Sequence, residues 1–130
     1  MENKRASVFD KDMQIMAAGM LVLAGFKPSY TPESLPELEA VIERMFPDGA
    51  LFSTTHIPFG WYLGEVIVRN IPGAQWQEEN SFLNTSITIP GYADRIQPFI
   101  YVEKFFSDRS LGLKNLYDSL LSKEAATNEA

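Results

Sequence analysis

The chain has 130 residues, 45% of them hydrophobic, and carries 17 acidic against 11 basic side chains for a net charge of -6. That length gives one domain able to bury roughly two-thirds of its unfolded surface. The acidic balance leaves no basic stripe for a phosphate backbone or an anionic bilayer, so nucleic acid and membranes are excluded as expected partners and a basic protein surface is compatible.

No cysteine is present, which removes disulfides, thiolate nucleophiles, zinc ribbons and iron–sulfur ligation and fits a cytoplasmic setting. Residues 1–9 are polar and read as a frayed tail. Lys4 and Arg5 stand before the apolar run 15–26, as in a secretory signal. However, Asp10, Lys11 and Asp12 interrupt it, no small-residue cleavage site follows, and the run is too short to span a bilayer.

Asp10 or Asp12 caps a first helix reaching Ala24. Met13, Met16, Ala17, Met20, Leu21 and Ala24 share one face and are expected to be core, with methionine filling irregular gaps. Gly25 and Pro28 stop this helix. Ser34 and Glu37 form a capping box for a second helix. Its buried stripe is Leu38, Val41, Ile42 and Met45, and it ends before Pro47-Asp48-Gly49. Glu39 and Glu43 lie four apart on its outer side, a solvated face rather than a metal or acid–base pair.

Residues 58–71 form the element around which the rest is expected to assemble, with Thr54 or Thr55 as its cap. The stretch is apolar or small almost all the way round, and Glu65 and Arg69 are its only charges. Neighbours normally enclose such a helix on several sides. Gly60 and Gly64 share a face, so another element can approach the backbone closely there. Residues 74–78 around Trp76 read as a short strand. Residues 83–89 alternate and are β-branched, which makes them the clearest strand. Residues 92–97 add a third short strand or cross the sheet end.

Pro98 opens a further helix with Phe99, Val102, Phe105 and Phe106 inward. The last helix carries Leu113, Leu116, Tyr117, Leu120 and Leu121 on one side, and residues 123–130 read as a loose tail. Helices, then strands, then helices predict an α+β fold. It has about five helices around a central buried one and a small two- to three-stranded antiparallel sheet, in a single domain with an ordered core of residues 10–123.

Reactive constellations are scarce. No glycine-rich phosphate loop follows a strand, and there is no Gly-x-Ser-x-Gly elbow. The single histidine, His56, cannot assemble an imidazole metal site. No catalytic residue, metal or cofactor is therefore assigned. His56 stands at the start of the central helix and points away from Glu65, as a capping or packing residue. Glu65 is the chemically interesting side chain, because a carboxylate on an apolar helix must find partners or take up a proton.

Arg69 lies one turn on in the favourable order, and Tyr62, Trp61 and the Trp76 indole are within reach. One interpretation is a buried hydrogen-bonded pair that fixes how the helix meets the sheet. The other makes these residues, with His56, a binding or acid–base site. The sixteen aromatic residues (Phe 9, Tyr 5, Trp 2) are many for this core. Phe52, Phe59, Trp61, Tyr92 and Tyr101 are the candidates for surface anchors of a protein interface, with a homodimer interface or simply a Phe-rich core as alternatives.

Three segments carry a family resemblance. Residues 30–39, Tyr-Thr-Pro-Glu-Ser-Leu-Pro-Glu-Leu-Glu, resemble a spacer followed by a Ser-Leu-x-x-Leu-acid helix opening. Gly60-Trp61-Tyr62-Leu63-Gly64-Glu65-Val66-Ile67 with Gly73-Ala74-Gln75-Trp76 resembles a Tyr-Leu-Gly-Glu…Gly-x-x-Trp signature, and Gln97-Pro98-Phe99 opens a helix. Together they are similar to small bacterial domains of unknown function, some resembling immunity proteins that neutralise toxins. The resemblance spans residues 30–122, with Glu39 where the pattern has Asp.

It implies an α+β fold in the bacterial cytosol and assigns no catalytic residues. The expectation is a non-enzymatic protein-interaction domain, of immunity or accessory type. The alternative is a small-ligand-binding protein or enzyme using a cavity near Glu65 and Arg69.

Overall fold

In chain order the elements are α1 (Lys11–Leu23), a 3₁₀ turn (Pro32–Ser34), α2 (Leu35–Met45), α3 (Ile57–Asn70), β1 (Gln75–Gln77), β2 (Ser86–Thr88), α4 (Pro98–Ser107) and α5 (Leu113–Glu129). They come from a computed structural model that describes residues 11–47, 57–77 and 84–129. Its five helices and small antiparallel sheet make an α+β fold. Among the described residues, no helix is long and apolar enough to cross a membrane.

The sequence dictates what α3 does. With no polar side to show to water, it is buried at every position from Ile57 to Gly64 and again at Val66 and Ile67. It packs against α1, α4 and β1, while α2 packs against α5. Its two glycines set these distances. A Cβ on Gly60 would lie 2.5 Å from the Phe99 ring and 3.0 Å from the Phe99 Cα of α4. A Cβ on Gly64 would lie 2.0 Å from the Trp76 indole of β1. Trp76 and Phe99 also meet each other, with ring centroids 6.0 Å apart. Two aromatic residues from different elements therefore cover the glycine side of one helix.

The sheet is a two-stranded ladder pairing Gln75 with Thr88, Trp76 with Ile87 and Gln77 with Ser86. The expected third strand is reduced to one bridge, in which Ile87 and Ile96 exchange backbone hydrogen bonds of 2.7 and 2.9 Å. Proline and glycine at 90 and 91 and the exposed Asp94 and Arg95 leave nothing to extend it. Residues 78–83, including the start of the expected second strand, lie outside the described residues, as do 1–10 and the Thr54 and Thr55 caps.

Helix ends follow local chemistry. α1 stops in a Schellman motif: Phe26 N–H reaches Leu21 C=O at 3.0 Å, Gly25 N–H reaches Val22 C=O at 2.9 Å, and Gly25 adopts φ +87°. Arg44 from α2 donates to the Ala24 carbonyl at 2.6 Å, adding a cation at the negative end of α1. The capping box at Ser34 does not form. Ser34 closes the 3₁₀ turn with helical backbone angles, and its hydroxyl turns to the Thr31 carbonyl at 2.6 Å instead of an α2 amide.

Several expected core positions change sides. In α1, Ala17 and Leu21 are buried, but Met16 and Met20 are 53% and 48% exposed, beside Ile15 at 61%, Val22 at 56% and Leu23 at 89%. Because α1 is apolar on both sides of Ala17, its periodicity fits two faces. The structure turns the small Ala17 and Ala18 toward the core and the methionines outward. Met45 of α2 is likewise exposed, whereas Leu38, Val41 and Ile42 are buried. In the other direction, the proposed surface anchors Phe59 and Trp61 are buried, and Tyr92 and Tyr101 are partly so. Phe52 lies outside the described residues. α5 continues as helix to Glu129, past the point where its apolar pattern stops.

The glycines of α1 and α3 should respond oppositely to the same change. Gly60→Ala must displace Phe99 or its backbone and is expected to destabilise by about 1–3 kcal/mol. Gly19→Ala, whose Cβ meets nothing within 4 Å, is expected to stabilise by about 0.5–1 kcal/mol. Urea denaturation followed by circular dichroism at low protein concentration measures both. Shifts of the same sign would contradict this packing.

Candidate functional site

Glu65 leaves the apolar surface of α3 where the helix faces β1, and its side chain is 14% exposed. Its oxygens are divided between two donors. Oε1 accepts Arg69 Nε at 3.2 Å and Nη2 at 3.1 Å, and Oε2 accepts the Trp76 indole N–H at 2.8 Å. The Arg69 half is a half-exposed i,i+4 pair, worth about 0.3–0.5 kcal/mol. The indole bond is a charge-assisted bond in a part-buried setting, and such bonds contribute about 1.5–3 kcal/mol. Trp76 is thus the stronger anchor, and it ties α3 to the sheet.

Arg69 also reaches the α1–α2 connector. Its guanidinium carbon sits 3.7 Å from the centroid of the Tyr30 ring, a cation–π contact. Tyr30 stacks on Tyr62 at 5.1 Å and meets Trp61 edge-on at 6.0 Å. Its backbone is left-handed, with φ 60°, which for a bulky residue costs about 1–3 kcal/mol. Three contacts hold it there. Its N–H donates to the Tyr62 hydroxyl at 2.8 Å, its C=O accepts Asn70 Nδ2 at 2.9 Å, and its ring lies against Arg69. The second Asn70 proton goes to the Val66 carbonyl at 2.8 Å.

The direction of the protons in this cluster follows from counting them. Ser34 Oγ gives its one proton to the Thr31 carbonyl, so at 2.7 Å it accepts from the Tyr62 hydroxyl. Tyr62 in turn accepts from the Tyr30 amide. A chain therefore runs from Tyr30 N–H through Tyr62 and Ser34 to Thr31 C=O, and it is closed at both ends within the protein. No hydroxyl proton in this chain is left to offer a ligand.

Of the residues singled out from sequence, Glu65, Arg69 and Trp76 meet directly, and Tyr62 joins them through Tyr30. Trp61 is buried against Tyr30, and its indole N–H has no partner among the described residues. His56 lies outside the described residues. Tyr30, Ser34 and Asn70 are not among the site residues expected from sequence. A left-handed tyrosine leaves no mark in sequence, and Ser34 carried a different expectation. Asn70, one residue past Arg69 at the end of α3, was the only available signal. Glu39 accepts the Lys114 backbone N–H at the start of α5, at 3.4 Å. No group of three or more potential metal-binding side chains occurs among the described residues.

Burial raises the pKa of the Tyr30 phenol; Arg69 opposes this, while Glu65 and Tyr62 add to it. Burial also raises that of Tyr101, with Glu39 and Asp108 contributing. Its hydroxyl lies 3.1 Å from both the Leu111 and Gly112 carbonyls.

No protein-family model, no curated protein and no solved structure matches the chain. Two measurements check the geometry. Trp76→Phe is expected to cost about 1.5–3 kcal/mol in urea denaturation and Arg69→Gln only about 1 kcal/mol; the reverse order would move the anchor to the ion pair. The second is alkaline stability. A raised phenol pKa contributes fully below the unfolded value near pH 10, and the contribution is lost as pH rises through the folded value, because the unfolded chain ionises first. Stability should therefore fall above about pH 10, less steeply in Tyr30→Phe. Equal alkaline slopes would show that Tyr30 is not the group responsible.

Proposed function

We propose that this protein is a non-enzymatic interaction module, cytoplasmic and of immunity or accessory type, and that α1 presents its docking surface. The observation that carries this reading is the outer side of α1. Ile15, Met16, Met20, Val22 and Leu23 stand exposed on one short helix, around the exposed Gly19. Scattered exposed apolar residues are ordinary, whereas a contiguous group on one element marks a surface that is covered in use. Methionine suits it, because its flexible thioether adapts to a partner's contour.

The polar cluster around Glu65 supports the same reading from the other side. A ligand or substrate there would have to displace Trp76 or Arg69 from the carboxylate, and the Tyr62–Ser34 chain has no proton to give. The resemblance to immunity-type bacterial domains and the net charge of -6 agree with a protein partner. The buried Phe59 and Trp61 move the expected interface from aromatic residues to the aliphatic and methionine residues of α1.

Affinity capture from the native host tests this, using the wild-type chain beside a Met16→Glu/Leu23→Glu variant whose helical circular dichroism is unchanged. The expected result is a specific protein retained by the wild type and lost from the variant. Equal retention by both, or no specific protein with either, would overturn the proposal.

A further inference from the structure

We propose that Met16 and Met20 are an oxidation site on α1. Hydrogen peroxide, or a related two-electron oxidant, converts both to sulfoxides and makes the outer face of the helix polar while the fold stays intact. This rests on the interaction reading above and names how that surface is regulated.

The first argument is where the sulfur lies. The chain has five methionines and no cysteine, so no thiolate competes for an oxidant and thioethers are its only sulfur. Methionine ranks with the residues most often buried. Here the three whose side chains are described, Met16, Met20 and Met45, are each about half exposed. None belongs to the buried core of the described residues. The indoles are better shielded: Trp61 is buried, and Trp76 is partly covered against Gly64 and Phe99. An oxidant arriving from solvent therefore meets thioethers first.

The second argument is what the position does. Met16 and Met20 are four residues apart on α1, so their side chains are neighbours on one side of the helix. Ile15, Val22 and Leu23 are exposed on the same element. A sulfoxide is polar where the thioether was apolar, so two of them one turn apart interrupt this face in its middle. The helix packs on α3, and its buried residues are Ala17 and Leu21. Oxidation of a core methionine disrupts packing, whereas oxidation here leaves those buried residues as they are. Met45 provides the contrast, because it lies on α2 and its sulfoxide leaves the α1 face unchanged.

The step balances with the oxidant alone. A sulfur lone pair attacks one peroxide oxygen, an S–O bond forms and the O–O bond breaks. The transferred hydroxyl gives its proton to the departing hydroxide, which leaves as water. Sulfur loses the two electrons that the peroxide gains. Exposed sulfoxides are also open to methionine sulfoxide reductases, which act on one epimer each and make the change reversible.

Peptide mapping by mass spectrometry, after mild peroxide treatment of the purified full chain, tests the site. Hydrophobic-interaction chromatography and circular dichroism follow the same samples. Met16 and Met20 are expected to take up one oxygen each in the folded chain at nearly the rate seen in urea. The oxidised chain should keep its helical spectrum and elute earlier from the column. Met16→Leu/Met20→Leu should lose that shift, Met45→Leu should keep it, and both reductases together should reverse it. In the host capture, oxidation should lower the yield of partner at least about tenfold, with the Met16→Leu/Met20→Leu chain unaffected.

Strong protection of either sulfur in the folded chain, or loss of the helical spectrum on oxidation, would overturn the inference. An elution shift that survives in the Met16→Leu/Met20→Leu chain would place the change elsewhere and overturn it too. A partner retained equally by the oxidised chain would overturn the regulation. Mapping and elution need no partner, so they decide the oxidation site separately from the interaction reading.

Discussion

The Trp76 indole reaches the Glu65 carboxylate only because Gly64 has no side chain. The ring lies where a Cβ would be, and its N–H meets Oε2 at 2.8 Å. The same absence lets β1 lie close against α3, and Gly60 does the equivalent for α4 through Phe99. Each glycine weakens the helix by about 1 kcal/mol relative to alanine. Close packing of two large aromatics more than offsets this, since aromatic pairs contribute about 0.5–1.5 kcal/mol beyond their buried area. The carboxylate then gives the packing a direction, because Trp76 must turn its nitrogen toward α3.

A second constraint depends on the first. Arg69 is held by Glu65, and from there it lies against Tyr30, whose left-handed backbone turns the connector between α1 and α2. The strain at Tyr30 persists because its amide, its carbonyl and its ring are each engaged, by Tyr62, Asn70 and Arg69. Glu65 therefore orders the chain on both flanks of α3, directing Trp76 on the sheet side and, through Arg69, the turn that leads into α2. The ion pair contributes little energy by itself. Its consequence is that the guanidinium has one place to be.

How much of this was legible follows from how many arrangements each pattern allows. α3 was legible because a helix apolar on all sides has one environment, and because a lone Glu-to-Arg pair on it must be satisfied locally. The Trp76 partner was legible as a possibility, since only an indole or hydroxyl nearby could complete the carboxylate. α1 was the reverse case: the expected stripe held Ala17 and Leu21 together with Met16 and Met20, and only its Ala17–Leu21 edge is buried. The small Ala17 and Ala18 let α1 turn this edge toward α3, and sequence periodicity carries no information about that neighbour. Ser34 departs from its expected capping role for a related reason. Its capping pattern is local, and the Tyr62 hydroxyl that engages it comes from 28 residues away. The large aromatic content was real, but much of it is packed within the fold, Phe59 of α3 against Phe106 of α4 and Phe99 of α4 against Trp76 of β1.

The two surfaces of the molecule thus differ in what they leave unfinished. Around Glu65, the carboxylate and the Tyr62–Ser34 chain are completed from within the chain. On α1 the fold leaves a run of apolar side chains facing water, and burying such surface gains about 25 cal/mol per Å². Turning the methionines inward instead would put bulky side chains where Ala17 and Ala18 now let α1 approach α3 closely. The exposed face is therefore a consequence of how α1 packs: the small residues that fit the core leave the large ones outside.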